Sequence, residues 1–256
     1  MSVELSIEGG VATVTLARPE KKNAITMAMR EQLWTTFEQL GENDDVRAVV
    51  LTGAGGAFCA GMDVSEMGGG DAAHSLTKMR RLHRIARAIA GLRKPTIAAV
   101  DGVCVGVGWS YALACDFVIA SDRARFAQIF RNIGLTPDGG AVWLLRQHIG
   151  AMRAKEIVYS GRFVSAEEAH SLGLALEVVP ADALQARAAE LARELYAAPT
   201  LALGMAKRQF DLAADTSFDQ FLEAEFAMQP LMSRTEDHRE GVTAFRERRA
   251  PRFSGR

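Results

Sequence analysis

The sequence predicts an α/β protein. Three observations carry this. Compact β-branched runs alternate with segments of helical period through the first part of the 256-residue chain. A short two-stranded pattern with a Gly-Gly centre opens it, and helical patterns alone fill its end.

Residues 3–7 and 11–16 alternate apolar and polar side chains about Gly9-Gly10, which reads as a β-hairpin. Met29, Leu33, Phe37 and Leu40 follow helical spacing, with Thr26 placed to cap that helix. Residues 46–51, 96–100 and 117–120 are buried strands by composition. Helical patterns lie between them at about 75–90 and 106–114, so parallel βαβ units are expected. Ser165 and Glu168 have capping-box spacing. Leu184, Ala188, Leu191 and Leu195 mark a helix closed by Pro199. Further helices are expected near 201–213, 218–229 and 236–249. The chain therefore divides into a core over residues 1–199 and a helical region over 200–256. Gly68-Gly69-Gly70 reads as a mobile loop.

A formal net charge of −1 gives no global field toward nucleic acid or a membrane surface. The first eight residues show no basic or apolar leader pattern. The apolar run around 96–107 is broken by Asp101 and glycines and is too short to span a bilayer. Cys59, Cys104 and Cys115 have no metal-like spacing, so no metal is expected and the thiols read as reduced in a cytoplasmic protein. Arg80, Arg84 and Arg87 form a basic stripe that reads as a solvated face rather than an RNA-binding one.

Chemistry concentrates in three glycine-rich stretches. Gly102, Gly106 and Gly108 precede and enter a helical pattern, where free N–H groups and positive dipole potential favour an anion. No Lys-Ser/Thr pair follows, which argues against a Walker-type phosphate loop; an oxyanion hole is the alternative, and tight helix–strand packing without a ligand is the third. Gly108-Trp-Ser-Tyr-Ala112 nearly matches a serine-hydrolase elbow, with Asp138 and His148 or His170 downstream. Ala112 replaces the last glycine and no clear strand precedes the serine, which argues against it. Asp138, before Gly139-Gly140, is placed to N-cap the following helix. Capping lowers a carboxyl pKa, and burial beside Phe130, Ile133 and Leu135 raises it. A base at Asp138 and a cap at Asp138 are both open on these residues.

The segment from Asp101 to Asp116 resembles the glycine-rich segment of the crotonase (enoyl-CoA hydratase/isomerase) superfamily. Residues 53–67 resemble its thioester-binding loop, and residues 18–25, Arg-Pro-Glu-Lys-Lys-Asn-Ala-Ile, resemble its first motif. The resemblance runs from Val11 to Phe253. It implies a crotonase-like spiral of ββα units, a C-terminal helical trimerisation region, and a homotrimer or hexamer. It implies an acyl-CoA thioester substrate, with coenzyme A as part of the substrate and no separate cofactor. The N–H groups of Met62 and Val107 would hold the thioester oxygen. Lys21 or Lys22 would meet a phosphate. Ala24, Ala60, Gly61 and Gly106 would line the path of the coenzyme, with Asp63 near the adenine. Basic residues at 244–253 would approach the coenzyme of a neighbouring subunit.

Hydratases of the family carry glutamates at the places held here by Ser110 and Phe130. Hydration needs a base for water and an acid for carbon, so the missing pair points elsewhere. Some isomerising or dehalogenating members place their essential aspartate in the stretch that is Gly134-Leu-Thr-Pro-Asp138 here. The resemblance thus implies an enoyl-CoA isomerase with Asp138 as acid/base and with Ser110 and Phe130 shaping an apolar pocket. An enoyl-CoA hydratase is the second expectation. A non-catalytic CoA-thioester-binding protein is the third.

Overall fold

The structure is a computed structural model and describes residues 2–68 and 71–256. Gly69 and Gly70 of the expected mobile loop lie outside the described residues.

The opening hairpin forms as expected. Strand β1 (Val3–Glu8) pairs antiparallel with β2 (Val11–Leu16). Helix α1 (Met27–Glu42) follows, capped by the Thr26 hydroxyl, which accepts from Met29 N at 3.2 Å. Then come β3 (Ala48–Gly53), α2 (Ala72–Ala90) and β4 (Thr96–Val100). The chain next leaves this sheet as β5 (Val103–Val105), forms α3 (Val107–Leu113), and returns as β6 (Phe117–Ser121). Two short strands, β7 (Arg125–Ala127) and β8 (Val164–Ser165), flank α4 (Ala141–Ser160). After α5 (Ala166–Ser171) and β9 (Glu177–Val179) the chain continues as α6 (Leu184–Tyr196), α7 (Thr200–Ala213), α8 (Phe218–Met232) and α9 (Glu236–Glu247).

Six strands form one sheet in the order β1-β2-β3-β4-β6-β9, parallel beyond the hairpin; β5, β7 and β8 form a second, smaller sheet. Strand β3 and strand β4 are buried on both faces, as a parallel sheet covered by helices requires. On one side α1, α2 and α3 meet it through Met29, Leu33, Phe37, Leu82, Ile85 and Trp109. On the other, α6 covers it through Leu184, Ala188 and Leu191.

The three-residue strands β5, β7 and β9 were not expected, because such runs carry too few side chains to show a period. Ser165 caps α5, accepting from Glu168 N at 3.1 Å, but Glu168 turns its carboxylate to Arg162 instead of completing a capping box. The complete box is at Ser217 and Gln220. Arg80, Arg84 and Arg87 are exposed on α2, and Arg84 stacks over Trp34 with its guanidinium 5.0 Å from the ring centroid. Among the described residues no helix is long and apolar enough to cross a membrane.

Arg47 fastens the helical end of the chain to this core. It is 8% exposed and donates to Thr200 Oγ1 at 2.7 Å, Ala198 O at 2.6 Å and Phe253 O at 3.0 Å. Arg47→Ala leaves one buried and two half-buried acceptors without a charged donor, and should cost about 2–4 kcal/mol. Chemical denaturation measures that loss, and limited proteolysis should cut the variant first near Phe253. An unchanged midpoint and an intact tail would contradict this anchoring role.

Candidate active site

Two loops that are distant in sequence meet beside α3. Cys59 N donates to Val103 O at 2.9 Å, and Val105 N donates back to Cys59 O at 2.9 Å. This bridge lays residues 59–62 along β5, just before the start of α3. Gly106 lies at φ 57° and ψ −131°, a conformation suited to glycine, and a Cβ there would sit 3.8 Å from Gly61 Cα and 3.7 Å from the Phe130 ring. The turn thus brings Gly61, Gly106 and Phe130 to one place. Among the described residues, neither Met62 N–H nor Val107 N–H donates to another backbone carbonyl.

A third segment, residues 22–25, closes onto the same loop. Ala60 N donates to Lys22 O at 2.8 Å, Ile25 N to Gly61 O at 2.8 Å, and Asp63 N to Ile25 O at 3.0 Å. Asn23 is the pivot of this turn. It is fully buried, and its amide donates to Ala54 O at 2.9 Å and Ala57 O at 2.7 Å. Lys22 is exposed, while Ala24 and Ala60 are half-buried, so these three line one edge in register. Asp63 is buried and committed to its neighbours. It accepts from Ser65 N at 2.9 Å and Ser65 Oγ at 2.7 Å, and it pairs with Arg18, whose guanidinium also reaches Ala24 O. Ser65 and Arg18 hold its carboxyl well below the usual range.

Asp138 comes from the loop before α4. The expected cap does not form: α4 starts at Ala141, its N-cap is Gly140, and no side chain caps it. The carboxyl instead turns inward, half-buried, and Oδ1 has no hydrogen-bond partner. Burial pushes its pKa from 3.8 up to about 6, with Arg30 opposing the rise. Ile133 and Leu135 are themselves more than half exposed, and Phe130 is 7% exposed. Gly139 seats the loop against α3, since a Cβ there would lie 2.8 Å from Ser110 Cβ and 3.2 Å from Val107 Cγ2. The Ser110 hydroxyl donates to Asp138 O at 2.9 Å.

These contacts also dispose of the hydrolase reading. A short strand, β5, does precede the serine, contrary to expectation, but Ser110 is the fourth residue of α3 and fully buried. His170 binds Ala175 O at 3.1 Å, and among the described residues no histidine hydrogen-bonds the serine. Cys59, packed against Gly108, is no nucleophile either, because burial pushes its thiol up to about 12.

Sequence reading missed Arg30 and Tyr111, and it offered Glu66 only as a fallback acid, with Asp63 and Asp71, should Asp138 not be the base. Arg30 falls on the apolar stripe of α1, at Leu33 − 3 and Phe37 − 7, and an arginine on such a stripe is the signal that would have found it. Its Nη2 donates to Met62 Sδ at 3.2 Å. Tyr111, next to Ser110, is 1% exposed with an unpartnered hydroxyl. Glu66 Oε2 accepts from Met27 N at 2.6 Å, at the first turn of α1.

The arrangement offers two free N–H groups, an apolar wall and one inward carboxyl with raised proton affinity. The fold that holds these groups is matched by solved structures of the crotonase superfamily. An enoyl-CoA hydratase from Bacillus anthracis matches with a TM-score of 0.95 and 31% identity, covering 100% of both chains. The Enoyl-CoA hydratase/isomerase family profile matches residues 6–256, and the chain belongs to that family. The 1,2-epoxyphenylacetyl-CoA isomerase of Escherichia coli K12 is 39% identical over 254 residues, 98% of this chain and 97% of that protein. The 2,3-dehydroadipyl-CoA hydratase of the same strain is 33% identical over 246 residues, 96% of this chain and 95% of that protein.

Asp138 makes stability depend on pH. Between 3.8 and about 6 the folded chain binds its proton more tightly than the unfolded chain, so stability falls as pH rises through that window. Asp138→Asn removes the ionisation. In urea unfolding the variant should match wild type near pH 4 and exceed it at pH 7 by up to about 3 kcal/mol. A variant no more stable than wild type at pH 7 would mean the carboxyl is not desolvated.

Proposed function

We propose that the protein is an enoyl-CoA isomerase, moving the double bond of an acyl-CoA thioester from the β,γ to the α,β position. The observation that carries this reading is Asp138: one inward carboxyl with a pKa near 6, where a hydratase pair would need carboxylates at Ser110 and Phe130. In this reading the thioester oxygen accepts from Met62 N–H and Val107 N–H. The ionised Asp138 takes the α-proton, and the C–H electron pair enters a dienolate stabilised by those two donors. The same carboxylic acid returns the proton at the γ-carbon, which leaves the α,β double bond and restores the base. A pKa near 6 suits both halves of the cycle: the group is mostly ionised at neutral pH and still holds a proton well enough to accept one. A ring-isomerising reaction on an aromatic-derived thioester uses the same parts.

Coenzyme A would lie along Lys22, Ala24 and Ala60, with Asp63 fixing the loop through Arg18 rather than meeting the ligand alone. Phe210, Phe218, Phe226 and Phe245 are each at least 74% exposed on α7–α9, which supports burial of this region in a trimer or a hexamer.

Asp138→Asn should lower turnover of 3-hexenoyl-CoA by about 10²–10⁴-fold, the range for a general acid–base group. Coenzyme A should raise the melting temperature of variant and wild type alike. Near-wild-type turnover by the variant would overturn the mechanism. Hydration of crotonyl-CoA by the wild-type protein should be slow beside that isomerisation; a fast rate would favour the hydratase reading.

A further inference from the structure

Arg30 is a cation in an unusual position. It is 8% exposed, it points from the buried stripe of α1 toward the site, and among the described residues no carboxylate lies within ion-pair distance of it. Its Nη2 donates to the soft thioether of Met62 at 3.2 Å, and Nε has no partner. Glu66, on the adjoining loop, accepts from Met27 N. A buried guanidinium without oxygen acceptors is costly, and the cost is relieved when an acceptor arrives.

Tyr111 adds a second orphan. Its hydroxyl is buried and unpartnered, and burial raises its pKa well above the ordinary value, so it stays a donor. The charged and titratable groups around it are Asp138, Arg30 and Cys59, and those around Arg30 are Tyr111, Asp138 and Glu66. Arg30 on α1 and Tyr111 on α3 are therefore near enough to Asp138 to feel its charge, while the Met62 thioether joins Arg30 to the loop of Gly61. A purely apolar acyl pocket has no use for donors of this strength.

We infer that Arg30 and Tyr111 form a polar subsite of the acyl pocket that takes an oxygen atom of the acyl group, at about the level of the γ-carbon. The inference rests on the CoA-thioester reading above. It assigns a preference for acyl thioesters bearing a carbonyl, ether, hydroxyl or carboxylate oxygen over plain hydrocarbon chains. Two donors converging on one acceptor also orient the acyl chain, which places its α- and γ-carbons before Asp138.

Three five-carbon thioesters test this by calorimetry: pentanoyl-CoA, 4-oxopentanoyl-CoA and glutaryl-CoA. Wild type should bind at least one oxygenated thioester roughly tenfold or more tightly than pentanoyl-CoA. Preference for glutaryl-CoA alone identifies a carboxylate; preference for both identifies any oxygen acceptor. In Arg30→Met the preference should fall toward parity, and Tyr111→Phe should reduce it while leaving the charge in place. If Arg30→Met does not fold, the wild-type ratio and Tyr111→Phe carry the test. Pentanoyl-CoA binding as tightly as both oxygenated thioesters would overturn the subsite and leave the CoA reading standing. Binding of none of the three would overturn the CoA reading, and this subsite with it.

Discussion

The paired bonds between Cys59 and the ends of β5 hold the site together. They fix the loop that carries Gly61 and Met62 against the turn that carries Gly106 and Val107, and so bring together two stretches of backbone that are distant in sequence. The rest follows from this seam. Gly106 must turn where a side chain would meet Phe130 and Gly61, and Gly108 must let α3 lie against Cys59. The segment from Lys22 to Ile25 then pairs with the other edge of the same loop, so three stretches of sequence become one surface. Burial of Asn23 and the Arg18–Asp63 pair hold that surface in register.

Two opposing effects set the character of Asp138. Removing the carboxyl from water raises its proton affinity, and the field of Arg30 lowers it. Desolvation wins, and the result is a group with a pKa near 6 rather than a permanently ionised surface aspartate. Asp63 shows the contrast within the same site. Hydrogen bonds from Ser65 and the pairing with Arg18 stabilise its charge, so it is a structural anion and no proton carrier. Two aspartates on neighbouring loops are separated in role by what surrounds each of them.

Much of the fold was legible because its elements are long and periodic. Strand β4 was read at its observed bounds, and the apolar stripe of α1 and the cap at Thr26 were plain from spacing. Strand β5 was not, since three residues carry no period, yet it is the strand that docks the loop of residues 59–62. The glycine-rich stretches were legible as a group because their order and spacing resemble a known family, and the model of the site as one surface follows from backbone pairing that no local pattern encodes. The role of Asp138 as a helix cap was misread. Gly139 and Gly140 both take positive φ and put the N-cap two residues beyond Asp138, which frees the carboxyl to face inward. Arg30 was passed over because a single charge on an apolar stripe looks like a helix edge until its burial is seen.

The account turns on a single carboxylate working as an ionised base. The dependence of kcat/KM on pH for isomerisation of 3-hexenoyl-CoA by the wild-type protein tests this most directly, because it reports the ionisation of the free enzyme. The account predicts a rise with pH through one ionisation near the value of about 6 given by burial of Asp138, and then a plateau. A rate that is already at its plateau at pH 5 and indifferent to pH from there to 8 would contradict it.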